Sequence, residues 1–255
     1  MKTSIIKKYS KNIYYFLGIF AILVIWILCS KIINNQGILP SLNNVLIKLK
    51  DLLIEGNTYA MILSTVLKIV LALAISFLIS VLLALLSLIN YRVENLIRPS
   101  ITLMRTVPVV SIAMIVLIIF FRQNVRYLGT IIIAALVIIP ILYEGILTGF
   151  KTINSNIIDD TKLISNFNFT VFWNVYLPLA MPNIVTSIVQ SFGLGLKVLV
   201  MSEVIINPNN SIGKAIGEEA TYGNMDSVLA WTIVLVVIVL IFDYFLKKVK
   251  IKSFE

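Results

Sequence analysis

Long apolar segments with few charged residues constrain this chain more than any other feature of its sequence. The longest runs from Tyr59 to Asn90 and contains one charged residue, Lys68. A helix of roughly 20 apolar residues crosses the hydrocarbon core of a bilayer, which is about 30 Å thick. Six candidate spans are present, over residues 13–32, 59–90, 107–121, 127–150, 178–206 and 228–246. The sequence therefore predicts an all-α, polytopic membrane protein with six transmembrane helices.

The composition supports this class of protein. Of the 255 residues, 59% are hydrophobic and 13% are charged, whereas about 25% of the residues are charged in ordinary soluble domains. The sequence has neither a convincing repeat nor a low-complexity segment. We therefore predict a single transmembrane domain over residues 1–255.

The positions of the basic residues predict the orientation of the spans, because cytoplasmic loops are enriched in Lys and Arg. In a six-span topology, thirteen of the 21 basic residues fall on the side of the two termini and six fall on the opposite side. Both termini are therefore predicted to be cytoplasmic. The basic residues flank apolar runs and form no patch interleaved with aromatic residues, so the net charge of +9 indicates contact with membrane lipid and not with nucleic acid.

The absence of histidine and the presence of only one cysteine exclude whole classes of enzyme and metal site. The chain has no histidine, which excludes Ser-His-Asp triads, Cys-His dyads and HExxH zinc sites. It has one cysteine, Cys29, and therefore neither an internal disulfide nor a Cys-based metal site. We predict no catalytic residue and no metal site in this chain. The apolar run before Cys29 is longer than the core of a signal peptide, so we predict an uncleaved first helix.

The segment between the first two spans contains a candidate short helix. Pro40 and Ser41 are typical of a helix start, and four leucines from Leu42 to Leu53 then recur at helical spacing on one side. This pattern is typical of a helix at the membrane interface. It is equally typical of a helix that packs on the transmembrane bundle.

The segment 151–177 follows the fourth span on the predicted cytoplasmic side and combines acidic with aromatic residues. Asp159 and Asp160 lie where the first turns of a short helix are expected, and negative charge is favourable there. Four aromatic residues follow within seven positions, namely Phe167, Phe169, Phe172 and Trp173. One interpretation is an anchor at the membrane interface, where aromatic residues are enriched. The other is a docking surface for a soluble partner.

The same segment resembles the cytoplasmic signature loop of the permease subunits of ABC importers. That signature consists of an acidic residue, two small residues, a glycine six positions after the acid, and a Leu-Pro pair. The corresponding residues here are, in chain order, Asp159, Asp160, Thr161, Ser165, Leu177 and Pro178. The Leu-Pro pair and its spacing from the acidic residue match, whereas Asp replaces the usual Glu, Asp and Thr replace Ala, and Ser replaces Gly.

The resemblance extends over about 180 residues, from Ser64 to Phe245, and is closest to the branch named for nitrate, sulfonate, taurine and bicarbonate uptake. It implies a type I ABC importer permease fold in a bacterial cell membrane. It also implies a homodimer that forms the pore, two ATP-binding cassette subunits docked on the loop 151–177, and an extracytoplasmic substrate-binding protein. ATP and Mg are then bound by the cassette subunits, so we expect neither a cofactor nor an enzymatic activity in this chain. In agreement, the sequence contains no GxxxxGK[ST] phosphate loop.

Four ionisable residues within the predicted spans are candidates for function, because charged groups inside a bilayer are costly. Lys68 lies toward the outer end of span two and is interpreted as structural, with its ammonium group reaching the interface. Lys197 and Glu203 lie in span five, about 240° apart around the helix, so we expect no ion pair between them. Lys197 either meets an anionic substrate or pairs with Glu144 or with an acidic residue of another subunit. Glu144 is interpreted as part of a gate or as a hydrogen bond between helices.

Further residues of spans four and five complete the set of candidates. Ser202 and Glu203, in the sequence Met-Ser-Glu-Val, are assigned to the translocation path, and we expect Glu203 to organise the outer half of the pore. Gly193 and Gly195 permit close approach of another helix. Pro140 removes a backbone hydrogen bond and is expected to kink span four.

Together these features predict a permease that imports a small solute, with an organic or inorganic anion such as a sulfonate, taurine or nitrate favoured by Lys197. The same family branch also serves uptake of thiamine precursors and flavin-type nutrients, and this alternative stays open. The alternative from a different class is a stand-alone secondary transporter. Such proteins usually have more spans or inverted repeats, together with a coupling-ion site.

Overall fold

The computed structural model of the chain describes residues 2–154, 157 and 169–252. Its main helices are α1 (Lys2–Ile33), α2 (Leu42–Ile54), α3 (Gly56–Ile89), α4 (Tyr91–Thr106), α5 (Val109–Ile119), α6 (Arg126–Lys151), α7 (Leu177–Ile206), α8 (Ile212–Thr221) and α9 (Met225–Lys252). A 3₁₀ turn precedes α6, and a π-helical turn, Phe172–Tyr176, leads into α7. The described residues contain no β-strand, in agreement with the predicted all-α class.

The helices belong to two compact units. One consists of Met1–Thr58 and Glu218–Val234, and the other consists of Tyr59–Gly217 and Leu235–Glu255. Helices α3, α8 and α9 contribute residues to both units. The single domain over residues 1–255 stays a prediction.

In the first unit, the predicted short helix is present as α2. Ser41 is its N-cap, and the Ser41 side chain accepts a hydrogen bond from the Asn44 N–H at 3.3 Å, which satisfies one of the free donors of the first turn. The segment before α2 is bonded to α1, because Trp26 Nε1 donates to the Pro40 carbonyl oxygen at 3.1 Å. Leu46 and Leu53 are exposed. Both interpretations of this helix, interfacial or packed on the bundle, stay open.

Four helical segments are long and apolar enough to cross a membrane, namely Gly56–Ile89, Arg126–Lys151, Phe172–Ile206 and Met225–Leu246. They coincide with the second, fourth, fifth and sixth predicted spans. Helices α4 and α5 pass the same test only as a pair, which is bent by 90°. The apolar part of α1, Leu17–Ile33, is shorter than these. The described residues therefore contain four or five candidate spans, and the total of six stays a prediction.

The third predicted span, residues 107–121, contains a helix that is too short to cross a membrane on its own. Helix α5 has 11 residues, a length of about 16 Å at 1.5 Å per residue, which is roughly half the hydrocarbon thickness. Val107 and Pro108 between α4 and α5 have extended backbone conformations. Because proline disfavours the α conformation in the residue before it, Pro108 ends α4 at Thr106 and permits the sharp bend.

Helices α6 and α7 form the centre of the second unit. Fully buried side chains at their contact include Ile138 and Leu142 of α6 and Leu196 of α7. Gly145 of α6 permits a close approach, since a Cβ at this position would overlap the Ser187 side chain. The two helices therefore meet through their backbones as well as through their side chains.

Helix α3 packs on α6 through small polar side chains. Ser76 Oγ donates to the Ala135 carbonyl oxygen at 3.2 Å, and Ser80 Oγ donates to the Ile139 carbonyl oxygen at 3.0 Å. Small residues and hydroxyl hydrogen bonds are typical of helix contacts in membranes. Both partners advance by four residues in the same sense, so α3 and α6 run parallel to each other.

Candidate functional site

Glu203 is the centre of a buried polar cluster that joins α3, α7 and α8. Lys68 Nζ donates to its Oε1 atom at 2.8 Å, and Thr65 Oγ1 lies 3.1 Å from each carboxylate oxygen. The backbone N–H of Gly213 donates to Oε2 at 3.0 Å. The Glu203 side chain is 0% exposed. A buried carboxylate requires such partners, and the cluster supplies one cation and two neutral donors.

The same cluster fixes the turn between α7 and α8. Thr65 Oγ1 accepts a hydrogen bond from the Ile212 N–H at 3.1 Å, at the start of α8. Gly213 leaves no room for a side chain, because a Cβ there would overlap Glu203. Asn207 ends α7 in the left-handed conformation, with φ of 54°, and its N–H donates to the Glu203 carbonyl oxygen. Glu203 therefore holds the turn through its side chain and through its backbone.

A polar pocket of about 270 Å³ opens where α4, α6 and α7 meet. Its charged residues are Arg105 and Glu144, whose Nη1 and Oε1 atoms lie 2.9 Å apart. Arg105 Nη2 also donates to the Pro140 carbonyl oxygen at 3.1 Å. Further polar lining comes from Thr148, Asn183, Thr186 and Gln190. The side chains of Arg105 and Glu144 are 42% and 51% exposed, so solutes can reach this ion pair, unlike the buried pair of Lys68 and Glu203.

One face of α7 is exposed along most of the helix. Its residues recur every three or four positions and are Thr186, Gln190, Leu194, Lys197, Met201 and Val204. Among the described residues, Lys197 has no ion-pair partner, and Glu144 pairs with Arg105 instead. Gly193 borders this face, and a Cβ at Gly193 would have no neighbour within 4 Å. The surface beside Gly193 is therefore open.

The other residues predicted within the spans are buried. Ser202 Oγ donates to the Leu199 carbonyl oxygen of its own helix at 2.7 Å. Gly195 contacts α6, since a Cβ there would lie 2.6 Å from Ile138 Cδ1. Helix α6 continues through Pro140 as one helix. The roles of these residues in transport stay predictions.

Most residues of the predicted ATPase-docking loop lie outside the described residues, namely Asp159, Asp160, Thr161 and Ser165. Leu177 and Pro178 are described and begin α7. The Leu177 N–H donates to the Phe172 carbonyl oxygen five residues earlier, which gives the π-helical turn. Phe172 also stacks on Phe150 of α6, with ring centroids 5.7 Å apart. Phe172, in the last part of the loop, therefore contacts α6 next to the residue at which the loop begins.

A second carboxylate joins α4 to the end of α6. Lys151 Nζ lies 2.6 Å from both oxygens of Glu94, and Arg98 Nη2 lies 3.1 Å from Glu94 Oε1. Glu94 is 8% exposed. Because Lys151 is the last residue of α6, this ion pair fixes the point at which the segment 151–177 leaves the helix.

The sequence predicted neither the partner of Glu203 nor the partner of Glu144. A signal exists for the first pair, because a buried charge requires a partner and Lys68 and Glu203 are charges of opposite sign within predicted spans. No comparable signal exists for the second pair, since Arg105 lies among basic residues that act as topology signals.

Comparisons with known proteins concern the family and the fold of the chain. The family model described as binding-protein-dependent transport system inner membrane component matches residues 76–250. A chain from the inward-facing MetNI methionine ABC transporter, CY5 native crystal form, is similar with a TM-score of 0.64 and 13% identity. A chain from the CY5 SeMet soak crystal form has a TM-score of 0.60 and 15% identity. Each alignment covers 79% of this chain and 96% of the other. No curated protein sequence gives a significant match. At these identities the structural likeness shows a shared fold, that of a type I ABC permease.

Proposed function

Because the chain belongs to the family of binding-protein-dependent transport system inner membrane components, we propose that two copies of it form the pore of an ATP-driven importer for a small anionic solute in a bacterial cell membrane. Membership makes the chain a multi-pass membrane permease. It also implies a separate ATPase subunit and a substrate-binding protein. The match over residues 76–250 carries the permease function, and the exposed Lys197 supports the choice of an anionic solute.

The proposed topology has six spans, with both termini in the cytoplasm. Two observations support it. Parallel packing of α3 on α6 is expected if the second and fourth spans cross the membrane in the same direction. In addition, the segment 151–177 then lies on the side that carries most of the basic residues, in agreement with the positive-inside rule.

The ATPase subunit is proposed to dock on the segment 151–177, with Asp159 capping a short helix and pairing with the ATPase. Asp160 and Thr161 then follow the acid, and Ser165 allows a turn where the family has glycine. Transport requires a coupling free energy between ATP binding and the pore. The contact of Phe172 with Phe150 supports this, because a displacement of the loop then acts on α6 and α7 together.

The exposed face of α7 is proposed to line the translocation path of the homodimer. Lys197, exposed and without an ion-pair partner among the described residues, offers a positive charge to an anionic group such as that of a sulfonate, taurine or nitrate. Glu203 and Ser202 are buried and are proposed to organise the outer half of the path without contacting the substrate. Glu144 is proposed to line the inner half.

The test is co-purification of the affinity-tagged chain with the products of the neighbouring reading frames. We expect two ATPase subunits for two copies of this chain, and we expect Asp159→Arg to remove at least nine-tenths of the ATPase. The matched control is Asp51→Arg, the same substitution at an exposed position of α2, which is expected to retain the ATPase.

The outcomes separate the parts of the proposal. If the wild-type chain purifies alone as a stable oligomer, the importer function is wrong and a secondary transporter becomes the leading alternative. If Asp159→Arg retains the ATPase in full, the docking role of Asp159 is wrong, whereas the importer function stands. One copy of the chain for each complex overturns the homodimer.

A further inference from the structure

We propose that the pocket of Arg105 and Glu144 is a binding site for a small zwitterionic solute, with one anionic and one ammonium group on a short carbon chain. The inference rests on the proposed function, since the pocket then belongs to the inner half of the translocation path. It narrows the proposed substrates to molecules that carry both charges, as taurine does, and excludes nitrate.

Arg105 is held in place for recognition of an anion. Its guanidinium group donates to the Pro140 carbonyl oxygen at 3.1 Å and pairs with Glu144 Oε1 at 2.9 Å. A guanidinium group has five N–H donors in a fixed plane, so further donors are available to a ligand. Planar, bidentate contact with a carboxylate or a sulfonate is the geometry that arginine favours. The bond to the Pro140 carbonyl oxygen holds the guanidinium group in place when its pair with Glu144 opens, so little ordering is needed when an anion binds.

Glu144 supplies the opposite charge at the same place. Its side chain is 51% exposed and accepts an ammonium group without entering a buried environment. Exposed ion pairs contribute little to stability, so the pair of Arg105 and Glu144 opens at small cost. When a zwitterion binds, its anionic group pairs with Arg105 and its ammonium group pairs with Glu144, so two ion pairs replace one. A ligand with a single charge leaves either Arg105 or Glu144 without its partner.

The rest of the pocket fits a small polar molecule. Its volume of about 270 Å³ lies below the usual range for drug-sized ligands, roughly 300–1,000 Å³. Hydroxyl and amide groups of Thr148, Asn183 and Gln190 can bond to a short polar chain. Gly145 and Ser187, where α6 lies close against α7, also line the pocket.

Equilibrium binding of matched probes to the permease–ATPase complex in nanodiscs, without nucleotide, tests this inference. One set is 2-aminoethanesulfonate, 2-hydroxyethanesulfonate and ethylammonium. The other is 3-aminopropanoate, 3-hydroxypropanoate and propylammonium. In at least one set, we expect the zwitterion to bind at least tenfold more tightly than both singly charged probes. Equal binding within each set, or no binding of any probe, overturns the proposal.

Variants separate binding from a structural role. Glu144→Gln is expected to reduce zwitterion binding to the level of the hydroxy anion, while that anion binds at least as tightly as it binds to the wild type, because Glu144 no longer competes for Arg105. Arg105→Gln is expected to remove binding of both, and Arg105→Lys, which keeps the charge, provides a second test if Arg105→Gln does not fold. The control Arg92→Gln lies on α4 outside the pocket and is expected to bind as the wild type does. Equal loss of all probes in Glu144→Gln assigns the pair to structure and contradicts the proposal.

The binding experiment tests the further inference, and co-purification tests the proposed function, so either one can be overturned without the other. If the ATPase co-purifies but no zwitterion preference is found, the inference is wrong and the importer function stands. If no ATPase co-purifies, the proposed function fails, and the same binding measurement on the chain alone decides whether the pocket has the inferred selectivity.

Discussion

Lys68 Nζ lies 2.8 Å from Glu203 Oε1, although the two residues are 135 positions apart in the sequence. Both side chains are almost completely buried, at 7% and 0% exposure. The ion pair joins α3 to α7, and the Gly213 N–H extends the cluster to α8. A lysine interpreted from the sequence as reaching the membrane interface is therefore one half of an internal contact.

Breaking this ion pair is expected to destabilise the protein strongly. Lys68→Met and Glu203→Gln each leave one buried charge without its partner, at a cost of about 3–5 kcal/mol. The double substitution removes both charges, so its cost is expected to be well below the sum of the two single costs. Thermal unfolding in detergent of the wild type, the two single variants and the double variant measures this coupling.

Glu144→Gln is the matched control, because it makes the same change in the half-exposed pair with Arg105. Its expected cost is about 1 kcal/mol or less. Strictly additive effects of Lys68→Met and Glu203→Gln would show that the two residues do not interact.

Two glycines on neighbouring helices are expected to respond oppositely to alanine. A Cβ at Gly145 overlaps Ser187, whereas a Cβ at Gly193 has no neighbour within 4 Å. Gly145→Ala forces α6 away from α7 and is expected to cost about 1–3 kcal/mol. Gly193→Ala stabilises the helix itself by about 0.5–1 kcal/mol. The melting temperatures of the two variants, measured on the monomeric chain, check both expectations. A higher melting temperature for Gly145→Ala than for the wild type would contradict the close contact of α6 and α7.

Removing the charge of Lys197 is expected to weaken uptake of an anion without separating the ATPase from the permease. Lys197→Met removes a charge-assisted contact of about 1.5–3 kcal/mol, so uptake at low substrate concentration is expected to fall about tenfold or more. The measurement is uptake of radiolabelled taurine or nitrate, whichever the wild-type complex transports, with ATPase activity recorded in parallel. Lys50→Met, at an exposed position of α2, serves as the comparison. An unchanged substrate dependence assigns Lys197 to structure.

Replacing the carboxylate of Glu94 is expected to destabilise the protein more than replacing its neighbour Arg98. Glu94→Gln weakens the contacts with Lys151 and Arg98, and hydrogen bonds to charged groups contribute about 1.5–3 kcal/mol. Arg98→Gln leaves Lys151 in place and removes only an exposed partner, so the expected cost is below about 1 kcal/mol. Unfolding of the two variants side by side tests this order. A larger effect of Arg98→Gln would show that Lys151 is not the main partner of Glu94.

The sequence predicted the features of this fold that depend on local patterns. Apolar length identified α3, α6, α7 and α9, and Ser41 before a run of leucines identified α2. The bend between α4 and α5 was harder to predict, because both sides of Pro108 contain helix-forming residues. Only the 90° change of direction shows that α4 and α5 are not one straight helix.

The contacts of the candidate site could be predicted less well, because they depend on which helices are neighbours and how each is rotated. Charge and burial single out Lys68 and Glu203, but their pairing requires α3 to lie beside α7. The pocket of Arg105 and Glu144 likewise requires the bend after α4. The docking residues from Asp159 to Ser165 lie outside the described residues, so their role still rests on the family resemblance and the proposed experiment.

Glu203 bonds to both ends of the connection between α7 and α8. Its carbonyl oxygen accepts a hydrogen bond from the Asn207 N–H, and its carboxylate accepts one from the Gly213 N–H. The residues between them form a closed ring of covalent and hydrogen bonds. Such a ring restricts the backbone of the connection, so the start of α8 is expected to follow a tilt or rotation of the outer end of α7. The connection therefore transmits motion of α7 to α8.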